Sequence, residues 1–381
     1  MNDYRRVRLA MVGLGNMGHV HARHIAALSG AELVAVCDVN PQVADTYAAE
    51  HGVSAYYDYR NMLANAALDG LVIATPHYDH VQIALDAFAQ GIHVLVEKPI
   101  AAHAADARKM IIGYGAALAK QPDLLFAAMF MQRTYGHWQK IKDLIDTGEL
   151  GQLVRTTWII TDWFRSQAYY DSGGWRATWR GEGGGVLLNQ CPHNLDLYQW
   201  LVGMPQRVTG FASLGKYHNI EVEDEVTAYM EHANGMIGHF ITSTGESPGT
   251  NRLEIAAEHG RLVFENGKLT FYRNRSSMLR HIRESTQGFA KVEHWVCDVP
   301  FQHHGRAGHD LIIANFADAI AQGAELIAPA IEGYHSVALG NAIMLSSLER
   351  RPVDIPLDED LYARKLQDLS ATSRYEKPAA R

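Results

Sequence analysis

Through the first third of the chain, short apolar runs alternate with segments of helical periodicity. The runs Val7–Val12, Leu33–Cys37, Gly70–Ala74, His93–Val96 and Leu124–Phe130 predict strands. Between them, Met17–Leu28, Pro41–Glu50, His80–Ala89 and Ala104–Leu118 carry the helical pattern, the last weakened by Gly113 and Gly115. Strand–helix alternation of this kind predicts a parallel sheet with crossover helices.

The pattern changes after Arg133. A helix over Tyr135–Thr147 is followed by two-residue alternation in Leu153–Thr161, then by Glu223–Glu231 and Met236–Thr242 on either side of Asn234-Gly235, which predicts a two-residue hairpin turn. Leu253–Ala257, Leu262–Glu265 and Leu269–Tyr272 continue a meander broken at His259-Gly260 and Asn266-Gly267. This antiparallel sheet is expected to carry helices at His193–Leu201, Leu311–Ala321 and His335–Leu348. The expected fold is an α/β Rossmann domain, residues 1–133, followed by an α+β domain with a mostly antiparallel sheet, residues 134–381.

Composition adds limits. At 381 residues the chain exceeds what one core usually supports, and 47% hydrophobic with 20% charged residues is ordinary for a globular protein. Disorder is expected only at the polar ends, Asn2–Arg6 and Ser373–Arg381. A net charge of −8 with no basic run argues against a nucleic-acid partner. No apolar stretch reaches the ~20 residues that span a bilayer, so no membrane partner is expected. Cys37, Cys191 and Cys297 are too scattered for a disulfide framework, and no cleavable leader precedes the first strand; the expectation is cytoplasmic.

The first strand runs into Gly13-Leu14-Gly15-Asn16-Met17-Gly18 and then a helix. In that context GxGxxG is a dinucleotide loop: Gly13 permits the turn, Gly15 lets backbone approach a pyrophosphate, and Gly18 lets helix and strand pack. Asp38 ends the next strand, where a carboxylate binds the adenosine ribose and repels the extra phosphate of NADP. No basic residue follows in Asp38-Val39-Asn40-Pro41, so the cofactor is read as NAD. The alternative role for Asp38, capping the next helix, suits Asn40 better. Ala74-Thr75-Pro76 and Glu97-Lys98-Pro99 end later strands and face the same crevice, with His80 added to the cofactor contacts. Lys98 is a charge at a buried strand end, to be weighed against a plain ion pair with Glu97.

With these pieces in place the chain resembles the Gfo/Idh/MocA oxidoreductases. The likeness lies in VGLGNMG, ATPHYDHVQIALDAFAQGIHVLVEKPIA, GEGGGVLLNQCPHNLDLYQWLVG, VEDEVTAYMEHANGMIGHF and ANFADAIAQG, and covers nearly the whole chain. The resemblance implies a sheet that packs between subunits, hence a homodimer or homotetramer. It implies that Lys98 contacts the reacting hydroxyl and that His193 is the catalytic acid/base. Asn189 stands where many members have an aspartate, and is expected to orient substrate.

The implied chemistry is hydride transfer between nicotinamide and a secondary alcohol of a sugar, glycoside or inositol. Asn189, His193, Asp196 and Trp200 are expected on one helical face, with Leu188, Leu195, Tyr198 and Leu201 towards the core. Trp158, Trp163, Trp175 and Trp179, with Tyr169, Tyr170, Arg165 and Arg176, are expected to select substrate, aromatic faces packing on the sugar and Arg binding hydroxyls. Packing under a long loop or at a subunit interface is the competing explanation. Gly183-Gly184-Gly185 permits close approach to cofactor or to a strand. His309 is a candidate for the pocket rim, whereas His19, His21 and His24 are read as packing or solvent residues. His303-His304 has no partner at metal-ligand spacing, and no metal is expected. The alternatives are a glycosidase of the same fold that recycles bound NAD, and a non-catalytic sensor.

Overall fold

In the computed structural model, which describes residues 5–302 and 305–374, the chain divides into two compact units. One comprises residues up to Tyr135 together with 304–337; the other comprises Gly136–His303 and the chain from Ala338.

The first unit is built on six parallel strands: β1 Val7–Val12, β2 Ala31–Cys37, β3 Ser54–Tyr56, β4 Gly70–Ile73, β5 His93–Val96 and β6 Phe126–Ala128. Their order is β3-β2-β1-β4-β5-β6, every pair parallel. This is a doubly wound sheet whose direction of winding reverses between β1 and β4, the place where such folds bind ligands. Its helices are α1 Asn16–Ala27, α2 Pro41–His51, α3 Tyr59–Asn65, α4 His80–Ala89 and α5 Ala104–Leu118. Strand β3 and helix α3 were not expected; at three and seven residues they carry too little periodicity to read. The helix His309–Gln322, expected on the antiparallel sheet, instead packs on α1 in this first unit.

The second unit holds α6 Gly136–Asp146, β7 Leu153–Ile160, α7 Gln167–Asp171, α8 Pro192–Val202, and strands β8 Arg207–Leu214, β9 Glu223–Glu231, β10 Ile237–Ser243, β11 Asn251–Ala257, β12 Gly260–Glu265, β13 Lys268–Asn274, β14 His294–Asp298 and β15 Val353–Asp354. These form one sheet, β14-β13-β12-β11-β7-β10-β9-β8-β15, antiparallel except where β10 lies parallel to β7. Its core centres on Trp158, fully buried, with Trp138 of α6 at 5.1 Å and Phe240 at 6.3 Å between ring centroids. Turn chemistry sets the registers. Asn266 and Gly267 both take positive φ, 51° and 72°, the two-residue turn that joins Glu265 to Lys268. The Asn234-Gly235 connection differs from expectation: His232 N–H donates to Met236 O at 3.0 Å around three residues, with Gly235 alone left-handed at φ 83°. Strands β8, β14 and β15 were also missed: β8 alternates between buried and more exposed positions only over its first five residues, β14 is largely exposed, and β15 has two residues.

The chain ends are partly tied down. Arg6 pairs with Glu32 at 2.6 Å, and Ser373 Oγ and Arg374 N–H donate to Glu221. The rest of the two ends expected to be disordered, 2–4 and 375–381, lies outside the described residues, as does the His303-His304 pair. No helix among the described residues is long and apolar enough to cross a membrane.

Candidate functional site

In the first unit the glycine loop follows β1. Gly13 has φ 87°, its N–H donates to Cys37 O at 2.9 Å, and a Cβ there would lie 2.7 Å from Ala74 O. A Cβ on Gly18 would meet Gly13 O at 1.9 Å, so loop and helix fit only without one. At Gly15, by contrast, a Cβ would meet nothing within 4 Å. Gly15 caps α1 with no side-chain bond, and no acidic residue stands in the first turn, Asn16 and Met17 included. The helix start is therefore open to an anion. Asp38 accepts from Leu14 N–H at 2.8 Å and Asn40 N–H at 2.9 Å, tying the end of β2 to the glycine loop. The cap of α2 is Asn40, which accepts from Gln42 N–H.

Beyond β4, Ala74-Thr75-Pro76 leads into α4, and the Thr75 Oγ1 is buried with no hydrogen-bond partner. An anion-ready helix start and an orphaned hydroxyl facing the switch point both fit a dinucleotide. His80, expected among the cofactor contacts, is instead fully buried. Its Nδ1 lies 3.0 Å from Pro99 O and its Nε2 2.9 Å from Thr75 O, so one ring sits between the turns after β4 and β5, and a neutral ring can donate to only one of the two oxygens. Burial lowers its pKa, against the pull of those two carbonyls. Glu97 is 7% exposed and its carboxylate is shared: Oε1 lies 2.6 Å from His21 Nε2, and Oε2 accepts from the main-chain N–H of Lys98 at 2.9 Å. Burial alone would raise this carboxyl, but His21, with Lys98 and His309 adding, brings it down to about 2. His309 lies beside this pair, its ring 5.3 Å from that of His21, and burial lowers its pKa.

In the second unit, the glycine triplet packs on a strand. Val186 N–H donates to Glu223 O at 2.9 Å, and a Cβ on Gly185 would lie 2.0 Å from that same oxygen. The Glu223 side chain accepts from Gly185 N–H at 2.9 Å and Leu187 N–H at 3.0 Å; burial pushes its carboxyl up to about 7. The turn that Glu223 holds leads to α8, where His193 follows Pro192 and is 7% exposed. Asn189 lies in the turn before α8, not on its face, and its amide bonds to Glu182. Helix α8 is buried on both sides, Asn194 and Asp196 included, so its expected two-faced pattern does not hold. Of the four tryptophans, Trp158 and Trp179 are core residues. Trp163 and Trp175 are half-buried and stack with arginines: Arg165 lies 5.5 Å from the Trp163 ring, and Arg176 4.8 Å from that of Trp175.

Residues 7–123 match the oxidoreductase family's NAD-binding Rossmann fold, and residues 138–263 match the GFO/IDH/MocA C-terminal domain; together these take in more than half of the chain. The chain belongs to the Gfo/Idh/MocA oxidoreductase family. Its first unit is an NAD-binding Rossmann domain. Among relatives, the rhizopine catabolism protein MocA of Rhizobium meliloti is 32% identical over 54% of this chain, and the match spans only 60% of that protein. The scyllo-inositol 2-dehydrogenase (NAD(+)) of Bacillus subtilis is 24% identical over 92% of this chain and 96% of its own. Among solved structures, the WlbA dehydrogenase from Bordetella pertussis, in complex with NADH and UDP-GlcNAcA, superposes with a TM-score of 0.78 at 27% identity, covering 93% of this chain and 100% of that one.

As a Gfo/Idh/MocA protein the chain carries one feature that its sequence pattern hid. His21, read as a packing residue, is the partner of Glu97. The available signal was its place on the inward stripe of α1, with Gly18, Ala22 and Ile25, three residues past the last loop glycine. Among the described residues no cluster of three or more His, Cys, Asp or Glu is arranged to hold a metal ion.

Proposed function

We propose that this chain oxidises a secondary alcohol of a sugar, glycoside or inositol, or reduces the matching ketone, with Lys98 and His193 as catalytic residues. The observation that carries the reading is the assembly at the carboxyl ends of β1, β2, β4 and β5. There the glycine loop, Asp38, Thr75 and the clamped Glu97-Lys98 turn all follow strands of one parallel sheet.

NAD, when bound, supplies the hydride acceptor. The open N–H groups at the start of α1 would hold its pyrophosphate, and Asp38 would hold the adenosine ribose in preference to a phosphorylated one. The Lys98 ammonium holds the substrate oxygen as its negative charge grows. His193 takes the hydroxyl proton as the carbinol C–H bond breaks, and returns it in the reverse direction. Glu97 acts through the Lys98 main chain, and is a positioning residue. Asn189 orients substrate from the turn before α8, and His309 lines the rim.

The protein is further proposed to be cytoplasmic and to work as a homodimer or homotetramer. Support for self-association is the sheet face bearing Phe211 and Tyr229, both exposed on neighbouring strands.

The test is NADH formation across a panel of polyols, with Lys98→Met and His193→Ala alongside. Each variant is expected to lose about 100- to 10,000-fold in kcat while NAD still protects it from heating. Cleavage of an aryl glycoside with no net NADH would replace this reading by the glycosidase one. Binding of NAD and sugars without turnover would replace it by a sensor.

A further inference from the structure

In the second unit, two arginines share one tyrosine. The Arg165 guanidinium carbon lies 5.0 Å, and that of Arg176 4.6 Å, from the centre of the Tyr169 ring. Arg176 Nη1 donates to Tyr169 Oη at 2.7 Å, and Arg165 Nη1 to Phe164 O at 3.0 Å. Among the described residues neither is paired with a carboxylate. The nearby acids are engaged elsewhere: Glu182 accepts from Ala177 N–H at 2.6 Å and from Asn189, and Asp171 accepts from Gln167 Nε2 at 2.9 Å. Two like charges thus stand closer than roughly 10 Å, about one Debye length, with most of their donors unspent.

Such a pair presents two guanidinium forks to one anion. The surroundings are short of partners in the same sense. Trp163 Nε1, under the Arg165 guanidinium, is a buried donor with no acceptor, and Gln190 Oε1 is a buried acceptor with no donor. Gln190 is 5% exposed, and its Nε2 donates to Tyr169 Oη at 3.1 Å and to Asn189 Oδ1 at 3.4 Å. Tyr169 Oη itself donates to Asn189 Oδ1 at 3.3 Å. The arginine pair is therefore wired to the turn that precedes His193. A ligand with an oxyanion for the arginines and a hydroxyl for the Gln190 oxygen would satisfy what the protein leaves open.

We infer that Arg165 and Arg176, stacked on Tyr169, form a carboxylate subsite, and that the substrate is an acidic sugar or cyclitol. A planar guanidinium matches a carboxylate in two parallel bonds, and stacking on Tyr169 fixes each fork before the ligand arrives. This replaces the expectation that the arginines bind neutral hydroxyls, and it rests on the dehydrogenase reading above. Phosphate presents the same oxygen chemistry, so the experiment separates the two.

The whole protein with NAD is assayed on glucuronate, galacturonate and mannuronate, their parent hexoses, the hexose phosphates, and inositols. Arg165→Met and Arg176→Met are compared with Arg180→Met, an exposed arginine bonded to Ser370 O and Ser373 O. The expected result is preference for a uronate. On it each of the first two variants loses about ten- to a hundredfold in kcat/KM, with neutral sugars changed less than about threefold and Arg180→Met without effect. Preference for hexose phosphates overturns the carboxylate assignment. Preference for neutral sugars, or equal losses on both classes, overturns the subsite. If nothing is oxidised, the dehydrogenase reading fails by itself. The subsite is then judged by tryptophan fluorescence, since Trp163 and Trp175 stack with these arginines. Saturable quenching by a uronate, absent with its hexose and lost in both variants, upholds it; no such quenching overturns it.

Discussion

His21 Nε2 lies 2.6 Å from Glu97 Oε1, and this bond inside the first unit fixes the carboxylate whose other oxygen holds the Lys98 main chain. The Glu97 carboxyl sits at about 2, below its ordinary 4.5. A carboxyl lowered by folding stabilises the fold above its ordinary pKa, and that contribution fades as pH falls from about 4.5 to about 2. Over that window urea unfolding should show the parent losing more stability than Glu97→Gln. Parallel curves for the two proteins would mean that the carboxylate is not held as described.

Glu223 runs the other way. Its carboxyl is raised to about 7 by burial, so its contribution is complete below about 4.5 and is lost as pH rises through about 7. The parent should therefore become easier to unfold between pH ~5 and ~8, and Glu223→Gln should flatten that slope. The variant also gives up one of the two main-chain donors, Gly185 or Leu187, because an amide nitrogen accepts no hydrogen bond. A denaturant midpoint measured at several pH values separates the two effects.

Asp38 ties the end of β2 to the glycine loop, and is proposed to hold the cofactor's ribose. Asp38→Ala should raise the KM for NAD about ten- to a hundredfold and leave the KM for NADP nearly unchanged, narrowing the preference. Steady-state kinetics with each cofactor decide it. An unaltered ratio would mean that Asp38 serves only to tie Leu14 and Asn40 in place.

Gly18→Ala would put a methyl group 1.9 Å from Gly13 O, a separation that no rotamer relieves. Loop and helix must part, so NAD should no longer raise the melting temperature of the variant. Gly15→Ala is the informative contrast, since its methyl meets nothing in the protein itself. It should fold normally and lose affinity only through crowding the pyrophosphate. Differential scanning fluorimetry with and without NAD distinguishes the two.

The parallel sheet was legible because its strands are short apolar runs bounded by helices with clear periodicity; β1, β5, α4 and α5 fall where the sequence places them. The antiparallel edges were not, since β14 is largely exposed and β15 has two residues, too few to show an alternation. The glycine loop and the strand-end turns could be read because their chemistry is local. His21 with Glu97 could not, nor could Arg165 and Arg176 on Tyr169, because partners 76 residues apart, or a stack of side chains within one irregular segment, leave no periodic trace. The helix His309–Gln322 was misplaced for a related reason: its apolar stripe says that it packs, not on which sheet.

The imidazole of His80 is wedged between the carbonyl oxygens of Thr75 and Pro99, and when neutral it donates to only one of them. Anyone wishing to redesign these two strand-end turns thus meets a packing constraint. A library randomised over Thr75 and Pro76 alone changes one wall of that ring's seat and leaves the other, beside Lys98, as it was. Libraries that vary the two loops and position 80 together have freedom that single-loop libraries lack.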